Sequence, residues 1–208
     1  AATGESATTL LVYTRSSLVE QTTPTSESLV DLGLSAANIT FVDLDLDSDD
    51  IGGTLAWTLA GDVDALGEGE GYAFSVYLAS SVDGANRSYL GRSTFDSATL
   101  FVPADTALRY FTHFLVYART SFAEQTTPEA HLIVDAIASV SEVGFTDKDL
   151  DAGELGGTVD WTLPLLGDPV ILYRVYMTVS ALGSSRAQLL DDVIRESGTL
   201  VMPENTRV

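Results

Sequence analysis

Two short runs of aspartate carry the residue types best able to do chemistry in this sequence. Within each run the aspartates recur at i, i+2 and i+4, so they fall on one side of an extended segment. Carboxylate oxygens in this arrangement suit Ca²⁺, which accepts about six to eight oxygen ligands in flexible geometry. The candidate metal ligands are Asp43, Asp45 and Asp47 in the first run and Asp147, Asp149 and Asp151 in the second.

The spacing of these aspartates departs from that of an EF-hand. Counted from Asp43, the sixth residue is Ser48 instead of glycine and the twelfth is Thr54 instead of glutamate. A bend at the following glycine pair, Gly52-Gly53 or Gly156-Gly157, could gather the carboxylates around an ion. The alternative interpretation is a solvated acidic edge that discourages aggregation between sheets.

Residues suited to catalysis are few. The two histidines, His113 and His131, are replaced by Thr9 and Glu27 at the matching positions of the internal repeat described below, so no Ser-His-Asp or His-metal group recurs. The sequence contains no cysteine, which excludes disulfides, thiol nucleophiles and Cys-type zinc sites. We therefore expect that the protein is not an enzyme.

Two N-glycosylation sequons bear on localisation. They are Asn38-Ile39-Thr40 and Asn86-Arg87-Ser88, and the second lies in a predicted hairpin turn. The sequons make Asn38 and Asn86 candidate glycosylation sites and favour an extracellular or cell-surface location.

Composition excludes several classes of partner. The 208 residues are 45% hydrophobic and 19% charged, which is typical of a globular protein and not of a disordered one. Thirty acidic residues against ten basic ones give a formal charge of −20, which repels nucleic acid and anionic lipid. No apolar run is long enough to cross a membrane, so we expect no membrane insertion. The chain begins without Met or a signal-peptide pattern, and we interpret it as a mature product or an excerpt of a longer protein.

The sequence contains an internal repeat. Residues 12–24 and 116–128 are identical at nine of thirteen positions, at an offset of 104. The stretch 39–59 recurs as 143–163 at the same offset, and 76–88 recurs as 175–187 at an offset of 99. The offset falls because the first copy carries an acidic insertion, residues 62–72, where the second copy has only residues 167–173. Such self-similarity is the signature of a repeat architecture.

Within each copy, apolar residues alternate with period two, which predicts half-buried strands. Glycine pairs and Thr-Pro steps separate the strands at the spacing typical of an all-β sandwich. Trp57 and Trp161 fall on the inward side of equivalent strands. Tyr77 and Tyr176 fall on the outward side, where they could contact glycans.

Three of these strands resemble a known family. They are GTLAWTL or GTVDWTLP, then a strand with a Val-Tyr pair, then YFTHFLVYART. Their order resembles strands B, C and F of fibronectin type III-like (Ig-like) β-sandwiches, and this implies tandem sandwiches. The acidic and Gly-Gly-Thr stretches also resemble tandem repeats in very large surface proteins of unicellular algae. The Asp-rich segment before the Trp strand departs from ordinary fibronectin domains.

This strand assignment predicts one complete repeat between two half-repeats. Residues 1–35 would supply strands F and G, residues 36–137 a complete sandwich, and residues 138–208 strands A to E of another. Each end therefore has the strands that the other end lacks. The halves could combine within one chain or between successive units, and we favour an end-to-end row.

From these observations we expect a structural repeat module of an extracellular filament, adhesin or cell-surface array, which binds cations and has copies of itself or adjacent repeats as partners. The alternative is a glycan- or protein-binding β-sandwich module. A pocket bounded by residues that the copies do not share would favour binding, whereas contacts through repeated positions would favour assembly.

Overall fold

A computed structural model describes residues 7–66 and 71–207 of the chain. Its regular structure is almost entirely antiparallel β-strand, together with one 3-10 turn at Val63–Ala65. The all-β sandwich class predicted from the alternation is therefore confirmed. Residues 1–6 and 208, at the ends of the predicted half-repeats, lie outside the described residues, as do residues 67–70 of the acidic insertion. Within the described ranges, no helix has the length and apolar character required to cross a bilayer.

The chain opens with an isolated hairpin. Strand β1 (Thr9–Val12) pairs antiparallel with β2 (Thr25–Ser28), and among the described residues these two strands form a sheet of their own. All eight strand residues are exposed. We call this element, together with its turn and the segment that leaves it, residues 7–33, the terminal hairpin.

A complete sandwich follows the terminal hairpin. Its strands in chain order are β3 (Leu34–Thr40), β4 (Asp50–Gly61), β5 (Ala73–Ala79), β6 (Ser88–Thr94), β7 (Thr99–Ala107), β8 (His113–Arg119) and β9 (Glu129–Leu132). They form a three-stranded sheet in the order β3-β4-β7 and a four-stranded sheet in the order β6-β5-β8-β9. The alternation places apolar side chains from both sheets in one core, where the rings of Trp57 and Phe74 lie 5.4 Å apart.

The C-terminal part repeats this arrangement without its last two strands. Its strands are β10 (Ser141–Asp147), β11 (Glu154–Thr162), β12 (Leu172–Tyr173), β13 (Tyr176–Met177), β14 (Ala187–Gln188), β15 (Val193–Ile194) and β16 (Thr199–Arg207). The sheet β10-β11-β16 has the order of β3-β4-β7, and Trp161 packs on Tyr173 at 5.5 Å as Trp57 packs on Phe74. We call residues 141–207 the open sandwich.

The open sandwich has a smaller core and a broken central strand. Four buried residues form its core cluster, against fourteen in the complete sandwich. Strand β5 pairs with β8 over its whole length and with β6 from Ala73 to Leu78. Its counterpart is reduced to β12 and β13, which pair with β15 and β14 on one side. In the described part of the chain, the other side of β12 and β13 has no strand partner.

Candidate functional site

The first aspartate run forms a turn between β3 and β4 in which the carboxylates accept backbone hydrogen bonds. Asp43 is buried, and its Oδ1 accepts N–H groups from Asp45 at 3.1 Å and from Gly52 at 2.9 Å. Its Oδ2 accepts the N–H of Ala136 at 3.0 Å, which holds the segment that leaves β9. Asp43 therefore ties the exit of the sandwich to the turn between its first two strands.

Asp45 continues the same pattern. Its Oδ1 accepts the N–H of Asp47 at 3.2 Å, and its Oδ2 accepts the N–H of Asp105 at 2.6 Å. Asp47 itself is exposed. Each aspartate thus caps the backbone two residues ahead, as aspartate commonly does in turns.

The second run builds the same turn in the open sandwich. Asp147 Oδ1 accepts N–H groups from Asp149 and Gly156, both at 3.0 Å. Asp149 accepts from Asp151 at 3.1 Å and from Asn205 at 2.7 Å. These two backbone donors hold the pKa of Asp149 below its ordinary value.

One group of carboxylates in the described residues could hold a metal ion. Oxygens of Asp149, Asp151 and Glu154 lie within 4.8 Å of one another. Two of these residues were predicted as ligands, and Glu154 joins them from the start of β11. Glu154 also lies 3.6 Å from the Arg207 guanidinium, which partly neutralises the group.

Negative charge also accumulates at the first turn. Partial desolvation, followed by repulsion from Asp45, Asp105, Asp47 and Asp49, raises the pKa of Asp50 above its ordinary value. The neighbouring carboxylates thus lie close enough to Asp50 to disfavour its ionised form.

The glycine pair after each aspartate run makes a bulge. Gly53 has φ of +151°, and a Cβ there would lie 2.5 Å from the Val42 carbonyl oxygen. Gly157 has φ of +148° and the same close approach to Thr146. The register of β4 against β7 and of β11 against β16 shifts at these glycines. Only glycine fits so close to the neighbouring backbone, which explains why both copies have it.

The outer face of the four-stranded sheet carries a cluster of aromatic and charged side chains that sequence reasoning missed. The Arg87 guanidinium lies 4.4 Å from the ring centre of Tyr77 and 4.7 Å from that of Tyr117. Glu124 accepts the Tyr77 hydroxyl at 3.0 Å and pairs with Arg87 at 3.2 Å. Burial, and then the hydrogen bond to Glu124, raise the pKa of Tyr77. We call these four residues the arginine cluster.

The open sandwich contains half of an equivalent cluster. Arg186 lies 5.0 Å from the ring centre of Tyr176, and these residues match Arg87 and Tyr77 at an offset of 99. The preservation of arginine and tyrosine at one offset was a sequence signal for the pair. As predicted, Tyr77 belongs to the outer face, but Arg87 and neighbouring rings cover it.

The remaining predicted sites lie apart from these turns. Asn38 is exposed on β3 and donates to the Thr58 hydroxyl at 3.0 Å, and Asn86 is exposed in the turn before β6. His113 bonds with the adjacent Thr112 hydroxyl, and His131 pairs with Phe114 in the sheet.

An open cavity of about 400 Å³ lies beside the turn between β8 and β9. Its walls combine repeated and unshared positions. Glu124 and Gln125 in that turn recur as Glu20 and Gln21, whereas Leu66 and Tyr72 come from the insertion of the first copy.

Comparison of the chain with protein-family models and with curated protein sequences finds no match.

Proposed function

We propose that this chain is a structural repeat module of an extracellular filament, adhesin or cell-surface array, in which units join end to end. One observation carries the proposal. The terminal hairpin and the strands β8 and β9 have the same sequence pattern and the same pairing register, but the first is exposed and the second is built into a sandwich.

The exposed fractions of matched residues in the two strand pairs measure this difference. Leu10 and Val12 are 54% and 60% exposed, whereas Phe114 and Val116, their counterparts, are fully buried. The exposed apolar residues of β1 and the unpaired edge of β12 and β13 favour association, because burial of apolar surface stabilises by about 25 cal/mol per Å². The proposed assembly would bury the apolar residues of β1 and pair the free edge of β12 and β13 in the same contact.

The finer classification also belongs to the proposal. A three-stranded sheet in the order β3-β4-β7 against a four-stranded sheet in the order β6-β5-β8-β9 supports fibronectin type III-like sandwiches. The resemblance to algal surface repeats and the two exposed sequons support an extracellular location and glycosylation at Asn38 and Asn86.

The test is the mass of the assembly. We expect light scattering of the purified chain at increasing concentration to show multiples of 22.1 kDa that grow with concentration. A constant mass of 22.1 kDa at every concentration would contradict the proposal.

Cation binding is the second part of the proposal. Asp149, Asp151 and Glu154 supply three carboxylates, and Ca²⁺ would complete its shell of about six to eight oxygens with backbone carbonyls or water. The first turn, with Asp43, Asp45 and Asp47, has its carboxylates more fully engaged by backbone N–H groups. We therefore place the stronger site in the second turn.

Thermal unfolding with added Ca²⁺ and with chelator tests this part, since a ligand that binds the folded state raises its stability. We expect the midpoint to rise with Ca²⁺, and Glu154→Gln to abolish the rise. Glu129→Gln, on the exposed part of β9, is the matched control. An unchanged midpoint would leave the aspartates as turn-forming residues only.

A glycan- or protein-binding module remains the second candidate because the 400 Å³ cavity contains Leu66 and Tyr72, which the second copy lacks. A glycan array probed with the labelled chain, beside a Tyr72→Ala variant, tests it. Binding that is lost in the variant would favour this candidate.

A further inference from the structure

We infer that the terminal hairpin of one copy completes the open sandwich of a second copy, with Val12 opposite Val175 and Arg186 held between Tyr176 and Tyr13. This inference rests on the end-to-end assembly proposed above and names its partner and its contacts. The complete sandwich supplies the template, because it contains every strand that the two ends hold separately.

The terminal hairpin already has the conformation that the joint requires. Thr9 pairs with Ser28 as His113 pairs with Leu132, and Val12 pairs with Thr25 as Val116 pairs with Glu129. The isolated bridge between Arg15 and Glu20 likewise matches the one between Arg119 and Glu124. The hairpin therefore docks without rearranging its own ladder, which limits the entropic cost of association.

The register of docking follows from the repeat. In the complete sandwich Val116 of β8 pairs with Val76 of β5. Subtracting 104 from the first number and adding 99 to the second gives Val12 and Val175. Val175 lies in the break between β12 and β13, so the added strand would supply the missing neighbour along this edge.

The arginine cluster gives the joint its specificity. Tyr77 and Arg87 correspond to Tyr176 and Arg186 in the open sandwich, whereas Tyr117 and Glu124 correspond to Tyr13 and Glu20 in the terminal hairpin. Each end thus holds half of the cluster. Docking brings the Glu20 carboxylate to Arg186, which at present stacks on Tyr176.

The second aspartate turn supplies a further contact. In the complete sandwich Asp43 Oδ2 accepts the N–H of Ala136, and the matching pair is Asp147 and Leu32. Asp147 uses Oδ1 for its own turn, as Asp43 does. The N–H of Leu32 from the docked hairpin would therefore bond to Asp147 Oδ2.

A second copy is the occupant that these observations select. Within one chain, β1 and β2 pair only with each other among the described strands, and β12 and β13 do not pair with them. The residues that complete the open sandwich are nevertheless those of the hairpin itself, in sequence and register. The terminal hairpin therefore serves as the partner of the open sandwich in another copy of the chain.

A cysteine pair tests the register. The chain has no cysteine, so Val12→Cys combined with Val175→Cys introduces its only two thiols, and each single variant controls for crosslinks between identical positions. Under mild oxidation we expect a ladder of covalent multiples of 22.1 kDa on a non-reducing gel. Val76→Cys combined with Val116→Cys is the matched control, and it should crosslink within one chain because these residues pair in the complete sandwich.

The outcomes separate this inference from the proposed function. A covalently closed monomer from the Val12 and Val175 variant would overturn the inference, since the hairpin would then complete its own chain. Absence of a crosslink, with the control crosslinked and assembly still seen by light scattering, would overturn this joint and leave end-to-end assembly standing. Absence of both crosslink and assembly would overturn both.

Charge reversal tests the arginine cluster. We expect Glu20→Arg and Arg186→Glu, each alone, to raise the concentration needed for assembly about tenfold, because each places like charges in the joint. An equimolar mixture should recover assembly, since alternating chains restore one native and one reversed pair at successive joints. Asp64→Arg and Arg92→Glu, both exposed, are the controls matched in charge. Failure of the mixture to recover assembly would overturn the contact.

Discussion

At the scale of single residues, Asp43 and Asp147 occupy the same repeat position but have different partners. Asp43→Ala leaves three backbone N–H groups without an acceptor, and each unpaired buried donor costs about 1–3 kcal/mol. Asp147→Ala leaves two backbone N–H groups without an acceptor, and they lie in a less buried turn. We expect the larger loss of stability for Asp43→Ala, measured by hydrogen exchange over β4 and β11 with chelator present. Equal losses would contradict the structural role of the third bond.

The two tryptophans provide a second comparison. We expect Trp57→Ala to cost about 3–5 kcal/mol, since its ring lies in a core of fourteen buried residues. Trp161→Ala should lower the stability of the dilute chain by less, because the core around Trp161 has only four buried residues. Hydrogen exchange of β4 and β11 measures both losses. A larger loss for Trp161→Ala would mean that the open sandwich is already completed.

The sequence pattern selected the aspartates of the two turns but left their role open. Alternating aspartates in an extended segment can present oxygens to an ion, or each can accept the N–H two residues ahead. The spacing satisfies both arrangements. The bonds from Ala136 and Asp105, which lie far away in sequence, hold the carboxylates of Asp43 and Asp45 in place, and no local pattern contains them.

At the scale of elements, the bulge glycines have a testable requirement. A Cβ at Gly157 would lie 2.6 Å from the Thr146 carbonyl oxygen, and its φ of +148° is unfavourable for other residues. We expect Gly157→Ala and Gly53→Ala to destabilise their sheets by more than about 1 kcal/mol. Gly167→Ala, where a Cβ has open space, is the control and should be neutral. Urea unfolding measures the three variants, and a neutral Gly157→Ala would refute the close approach.

The second aspartate turn should weaken in acid. The pKa of Asp149 is lowered in the folded chain, so its contribution to stability is present above the ordinary value of 3.8 and is lost as the pH falls through the lowered value. We expect a carboxyl NMR titration of Asp149 to have its midpoint below 3.8, with increased exchange at Asn205 over the same range. A midpoint at or above 3.8 would contradict the two backbone bonds.

Strand positions were largely predictable, but strand continuity was not. The apolar alternation around Val175 is as regular as that around Val76, so the sequence predicted equal strands. Strand β5 is continuous because β6 and β8 flank it, whereas β12 and β13 have partners on one side. Whether a strand is paired on both edges depends on its neighbouring strands. The alternation of apolar residues within the strand itself therefore cannot predict it.

At the scale of the whole molecule, assembly should depend on salt. Each chain carries a formal charge of −20, so two copies repel each other over a Debye length of about 30 Å at 0.01 M salt and about 8 Å at 0.15 M. We expect light scattering to show larger assemblies at 0.15 M than at 0.01 M salt. Smaller assemblies at higher salt would mean that attraction between charges, and not apolar burial, dominates the joint.

If the terminal hairpin of one copy completes the open sandwich of the next, the resulting row has a direction. The contact between a terminal hairpin and an open sandwich joins two different surfaces and is therefore heterologous. Such a contact does not close on itself as a two-fold dimer does. The two tips of a growing row are therefore chemically different: one offers Tyr13 and Glu20, and the other offers Tyr176 and Arg186. A variant whose terminal hairpin cannot dock could still bind the hairpin of another copy in its open sandwich. It could not dock into a further copy, so it would stop the growth of the row at one end only.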